Sequence, residues 1–222
     1  MEELKKKAAE EAVKQVKDGM VVGLGSGSTA KYAIIEIGKK VKEGLEIIGI
    51  PTSVESEKIA KEYGIKIADI NDYEEIDLTI DGADQVDKNL NLIKGGGGAL
   101  LREKIVASIS KKEIIVVDER KIVENFSFPL PIEIVKFGWK RTAEKIKKFG
   151  FIPELRKNFV TDNGNFIVDC RYSRIDKGIC DEIKAVVGVV EHGFFAGIAD
   201  EVIIGKKEGI KRINKKREMK NM

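Results

Sequence analysis

Apolar residues fall into two rhythms along this chain. Short apolar-rich runs at 20–24 (MVVGL), 45–50 (LEIIGI), 65–68, 76–80 (IDLTI) and 114–117 (IIVV) read as strands. Strands as apolar as IIVV are buried on both faces, which argues for a parallel sheet flanked by helices. Between them, apolar positions recur at helical spacing. Residues 3–17 predict a first helix, with Ala8, Ala9, Ala12, Val13 and Val16 on its inner side. Further helices are expected at 30–41, 53–63 and 99–110. Strands alternating with helices define the fold class as α/β, Rossmann-like. In such a sheet ligands sit beyond the carboxyl ends of the strands, where strand order reverses. Four polar stretches each follow a strand end: GSGST (25–29), PTS (51–53), DGAD (81–84) and DERK (118–121). Topology alone predicts that they converge on one crevice.

After residue 125 the texture changes. FSFPLPIEIV reads as a linker and strand, with Pro129 and Pro131 marking the boundary. A helix at 139–149, a strand at 154–157, a TDNGN turn at 161–165, a strand at 166–171, a helix at 176–185 and a strand at 187–190 follow. The order β-α-β-β-α-β predicts a smaller α+β, ferredoxin-like domain. Runs at 202–204 and 210–213 are expected to return to the first unit. The predicted division is therefore 1–126 plus 201–222 for the α/β domain, with 127–200 inserted.

Composition narrows the class. Hydrophobic residues at 42% and charged residues at 35% exclude a disordered chain, and 222 residues can bury a substantial core. The net charge of +3 gives no case for a nucleic-acid surface. The basic run 206–220 lacks the interleaved aromatics of a single-strand binder and reads as a solvated end. No apolar run is long enough to span a bilayer, and the charged amphipathic N-terminus is not a signal peptide. Cys170 and Cys180 fit neither a CxxC pattern nor a disulfide framework, which points to the reducing cytoplasm.

Candidate chemistry concentrates in residues 81–104, DGADQVDKNLNLIKGGGGALLREK. Asp81 and Asp84 flank Gly82 and Ala83; Lys94 precedes the glycines Gly95, Gly96, Gly97 and Gly98; Glu103 follows at the start of a predicted helix. Four consecutive glycines suit neither helix, strand nor core, but they let backbone pass close to a ligand. Acids, an ammonium group and free N–H groups in one stretch suggest proton transfer on a small oxygen-rich substrate. The GSGST loop between strand and helix offers backbone N–H groups and a helix dipole to an anion. It is not a Walker loop, because Gly27 stands where the lysine belongs. It is not a dinucleotide fingerprint either: Ser28 replaces the last glycine, and the second strand ends in Pro51-Thr52-Ser53 instead of an acid. A single phosphate remains, held by backbone groups and the hydroxyls of Ser26, Ser28 and Thr29. His192 is the only histidine; it lacks the partners of a triad or metal site and reads as structural or near an interface.

GSGST, DGAD, KGGGGALLREK, DERK and TDNGN, in this order and spacing, resemble the A-type ribose-5-phosphate isomerase family nearly end to end. The resemblance implies interconversion of ribose 5-phosphate and ribulose 5-phosphate in the pentose phosphate pathway. It implies no metal, no organic cofactor, and a homodimer or homotetramer. Glu103 matches the family's catalytic base, and Asp81, Asp84 and Lys94 its polar catalytic residues. The implied substrate contacts are Ser26, Gly27, Ser28, Thr29, the DGAD turn with Gly82 and Ala83, Lys94, Gly95, Gly96, Gly97 and Lys121. Ser26 stands where other members can carry Thr. The rival readings are a non-catalytic sugar-phosphate sensor, which would keep the loop but not need Glu103, and an isomerase of another phosphosugar.

Overall fold

The computed structural model of the protein describes residues 1–215. Helix α1 (Glu2–Val13) opens the chain, followed by β1 (Val21–Leu24), α2 (Gly27–Lys42), β2 (Ile48–Pro51), α3 (Val54–Glu62) and the two-residue β3 (Lys66–Ile67). The chain continues through β4 (Leu78–Asp81), β5 (Gln85–Val86), β6 (Leu92–Ile93), α4 (Leu100–Ser108) and β7 (Glu113–Asp118). Next come β8 (Leu130–Ile134), α5 (Trp139–Lys147), β9 (Ile152–Leu155), β10 (Phe166–Arg171), α6 (Lys177–Lys184) and β11 (Val189–His192). Strands β12 (Phe194–Phe195), β13 (Glu201–Lys206) and β14 (Gly209–Asn214) complete it.

Seven strands form one sheet in the order β14-β13-β7-β4-β1-β2-β3. All neighbours are parallel except β14, which runs antiparallel to β13. From β1 the chain moves outward through β2 to β3, then crosses to the other side of β1 at β4. The strand order thus reverses between β1 and β4, which is where a crevice opens in such sheets. Helices α1, α2 and α3 cover one face: Ala12, Ile34 and Ala60 pack with Leu24, Ile80 and Val116. On the other face Val106 of α4 packs with Ile50 and Ile76, and Leu92 and Phe195 pack with Ile115, Val117 and Val202.

Residues of β8 to β11 make a separate antiparallel sheet ordered β11-β8-β10-β9. With α5 and α6 on one face, Ile146 and Ile183 bury against Ile132, Val168 and Cys170. This is the α+β, ferredoxin-like arrangement read from the sequence, and β13 then rejoins the large sheet beside β7. The small three-stranded sheet β12-β6-β5 was not anticipated. Its strands are two residues long, too short to show any alternation.

Two helix boundaries differ from expectation by three residues or more. Helix α1 stops at Val13 instead of residue 17, and turns tighten after it, with Gln15 N–H donating to Ala12 O and Val16 N–H to Val13 O. Helix α2 begins at Gly27, three residues early, because Ser26 is extended (φ −113°, ψ 161°) and starts the helix behind it. Of the basic run 206–220, residues 216–220 lie outside the described residues. Among the described residues no helix is long and apolar enough to cross a membrane.

Candidate active site

Three backbone segments meet over the β1–β4 reversal. The first turn of α2 contributes Ser26, Gly27, Ser28 and Thr29; the turn after β4 contributes Gly82, Ala83 and Asp84; the segment after β6 contributes Lys94 and Gly95 to Gly97. Glu103 of α4 and Lys121, in the short helical turn after β7, complete the lining of a cleft enclosing ≈ 480 Å³, part of it open to solvent. Four strand-end motifs were expected to converge here, and three line the cleft. The fourth, PTS, supports it from below: the Ser26 hydroxyl lies 2.8 Å from Thr52 Oγ1 and 2.8 Å from Ser53 Oγ. Ser26 lines the cleft, but its hydroxyl is engaged by this supporting turn, whereas Ser28 and Thr29 line the cleft beside it.

Asp81 is the expected residue that does not line the cleft. It is fully buried beneath it, and its Oδ1 accepts from Ser26 N–H at 2.9 Å and Gly82 N–H at 2.7 Å. Gly25 makes this approach possible, since a Cβ there would stand 2.3 Å from Asp81 Oδ1. Lys94, 2% exposed, forms ion pairs with Asp81 Oδ2 at 3.0 Å and Glu103 Oε2 at 3.4 Å, and donates to Gly82 O at 2.5 Å. The small sheet aims this lysine: Lys94 N–H donates to Gly193 O at 2.8 Å, and Asp84 N–H to Ile93 O at 2.8 Å. Asp84 in turn accepts from Gly96 N–H at 2.7 Å.

Burial is the largest influence on both partners of the Lys94–Glu103 pair. It pushes the Glu103 carboxyl up to about 8; Lys94 opposes this, while Asp81 and Asp84 reinforce it. For Lys94 burial pulls downward, but Asp81 and Glu103 outweigh it and hold the ammonium above its ordinary value. A carboxyl kept close to neutrality beside a fixed cation suits proton exchange with carbon acids better than an ordinary surface glutamate does.

The sequence reading missed two groups here. Lys5 of α1 donates to Ser28 Oγ at 2.9 Å, bringing a further cation to the GSGST turn. Nothing separates it from its lysine neighbours in the run KKK. Glu113 heads β7 and is 2% exposed; burial and then Asp81 raise its carboxyl well above the usual range. Its only signal was its place one residue before the IIVV run. His192, read as structural, lies behind α4 beside Lys104, which donates to His192 O at 2.6 Å; burial and Lys104 push the imidazole down to about 4. Among the described residues no group of three or more His, Cys, Asp or Glu side chains is arranged to hold a metal ion.

The fold and cleft define an α/β protein of the open parallel-sheet class, with a buried carboxylate–lysine pair on one side of a strand-end cleft and the N-terminus of α2 on the other. The family model of ribose 5-phosphate isomerase A (phosphoriboisomerase A) matches residues 48–209, and the chain belongs to that family. It is 48% identical over 218 residues to ribose-5-phosphate isomerase A 1 of Oceanobacillus iheyensis, covering 94% of this chain and 97% of that one. It is 48% identical over 219 residues to ribose-5-phosphate isomerase A of Bacillus mycoides, covering 95% and 99%. Among solved structures, ribose 5-phosphate isomerase A of Methanocaldococcus jannaschii superposes with a TM-score of 0.93 at 39% identity, over 96% of this chain and 99% of that one. A D-ribose-5-phosphate isomerase in complex with phospho-erythronic acid gives 0.93 at 44% identity, over 96% and 98%.

Proposed function

We propose that the protein interconverts D-ribose 5-phosphate and D-ribulose 5-phosphate through an enediolate, in the non-oxidative branch of the pentose phosphate pathway. The observation that carries this reading is Glu103 held against Lys94 on one wall of a cleft whose other wall is the N-terminus of α2. An aldose–ketose exchange moves a proton between C2 and C1, so one base must reach both carbons from one face. Glu103 takes and returns that proton. Lys94 and the glycine N–H groups meet the negative charge that develops on the sugar oxygen. Asp84, which lines the cleft, handles hydroxyl protons and ring opening; Asp81, buried below, orients Lys94. The N–H groups of α2, with Ser28, Thr29, Lys121 and Lys5, grip the phosphate. A non-catalytic sensor needs the grip but no buried carboxylate–lysine pair.

The division into an α/β domain (1–126 with 201–222) and an inserted α+β domain (127–200) is supported by their separate sheets and cores. In the proposed homodimer or homotetramer, Phe137 and Val187, 94% and 80% exposed on the smaller unit, are candidates for burial against a second copy. A cytoplasmic location is supported by the two free buried thiols.

The direct test mixes the purified, chelator-treated protein with ribose 5-phosphate and follows ketose formation. Ketose is expected, and unphosphorylated ribose is expected to react at least about a hundredfold less efficiently, since each charge-assisted contact contributes about 1.5–3 kcal/mol. Equal efficiency on ribose would remove the α2 terminus from phosphate binding. The pH profile supplies a second check. With Glu103 pushed up to about 8, kcat/KM is expected to climb as pH rises toward that value and to level off above it. A profile flat from about pH 6 to about pH 9 contradicts Glu103 as the titrating base.

A further inference from the structure

We infer that Arg156, carried by the smaller unit, is a positioning residue that fixes where the glycine turn points its free N–H into the cleft; this rests on the isomerase reading above. Arg156 follows β9, and its N–H donates to Ile167 O at 2.9 Å, so its backbone is held by β10. Its guanidinium forms a fork on Asp169, with Nε at 2.8 Å and Nη2 at 2.6 Å from the carboxylate. The remaining donors reach across to the large domain: Nη1 donates to Gly96 O at 3.1 Å and Gly95 O at 3.3 Å, and Nη2 to Gly95 O at 3.3 Å. The guanidinium also sits 5.3 Å from the Phe159 ring, and that ring fills the space a side chain on Gly98 would need, 2.1 Å from the position of its Cβ. One hairpin thus touches both ends of the glycine turn.

The consequence follows from peptide geometry. A trans peptide is planar, and its C=O and N–H point in opposite directions. The Gly95–Gly96 peptide is held at both ends, its oxygen by Arg156 and by Gly98 N–H at 2.9 Å, which closes the turn, and its N–H by Asp84. The Gly96–Gly97 peptide is held only at its oxygen, by Arg156. The N–H of that second peptide belongs to Gly97, which lines the cleft and has no protein acceptor among the described residues. Glycine offers little resistance to rotation of this peptide, so the arginine sets the donor's direction. A donor aimed at the developing oxyanion acts on turnover more than on ground-state binding. Lysine in place of Arg156 keeps the charge but cannot hold a bidentate carboxylate and two carbonyls together.

The test is steady-state kinetics on ribose 5-phosphate with Arg156→Lys, Arg156→Ala and Asp169→Asn, beside thermal unfolding. Both Arg156 variants are expected to lose kcat about ten- to hundredfold, with KM within about threefold, because a small misplacement of a catalytic group can cost about 10²-fold. Asp169→Asn is expected to show a smaller loss in the same direction. Arg141→Ala, an exposed residue of α5 paired with Glu144, is expected to match the unsubstituted protein. Full kcat in Arg156→Lys, or a loss confined to KM, overturns the inference. If the Arg156 variants fail to fold, Asp169→Asn decides: unchanged kcat refutes the positioning role, and lowered kcat with unchanged KM upholds it. An unsubstituted protein that makes no ketose overturns the isomerase reading itself, whereas an active one with an indifferent Arg156→Lys overturns this inference alone.

Discussion

Glu103→Gln is expected to lower kcat for ribose 5-phosphate by about 10⁴-fold, at the upper end of what one positioned base contributes, and to leave substrate affinity within a few fold. The carboxamide matches the carboxylate in shape but cannot accept a proton from carbon. Lys94 keeps Asp81 at 3.0 Å and Gly82 O at 2.5 Å, so the substitution leaves no uncompensated cation. Stability provides an independent check with a definite sign. The Glu103 carboxyl is raised in the folded state, so the unfolded chain ionises it first, and its burial costs stability increasingly as pH rises from the ordinary carboxylate range toward about 8. The glutamine variant is therefore expected to melt at the same or a higher temperature than the unsubstituted protein above about pH 8, with the difference vanishing in acid. Calorimetric binding, stopped assays and melting curves separate these effects. Near-normal turnover in this variant would falsify the assignment of the base.

Much of this site was legible because its residues follow strand ends, and strand ends are where apolar runs stop. The run IIVV marked β7 without ambiguity, and DERK after it brought Lys121 to the cleft. GSGST could be read as an anion loop because three hydroxyl residues beside a helix start have few other uses. What the sequence hid are the long-range arrangements. Asp81 and Asp84 are three residues apart and look equivalent, yet β4 ends on Asp81 and turns it inward, while the next turn brings Asp84 to the cleft. Strands β5, β6 and β12 carry no periodicity, although they aim Lys94. The Ser26 hydroxyl faces Thr52 and Ser53 because α3 caps itself there, a contact across 27 residues that no local pattern encodes. Arg156 and Lys5 were invisible for a simpler reason: each sits among other charged residues, and only the fold says which of them is aimed.

Lys94→Met is expected to cost about 3–5 kcal/mol of stability at neutral pH and to abolish measurable turnover. The argument runs from burial. Lys94, Asp81 and Glu103 have side chains 2%, 1% and 6% exposed, and Glu113 lies buried on the same side of the sheet. Removing the ammonium leaves three buried carboxyl groups facing one another with no cation in contact. Glu103 and Glu113, whose carboxyls Lys94 holds down against burial, must then keep their protons to higher pH in the folded state, while the unfolded chain releases them in the ordinary carboxylate range. The folded protein binding more protons than the unfolded one means that stability falls as pH rises. Urea unfolding at about pH 4 and about pH 8 should therefore show a small deficit in acid and a large one in mild base. Lys94→Arg is not expected to rescue either property, because the planar fork has no room where Nζ sits 2.5 Å from Gly82 O and 3.0 Å from Asp81. A methionine variant whose stability tracks that of the unsubstituted protein at both pH values would show that Lys94 does not compensate these acids. These buried acids would then need another source for their mutual tolerance.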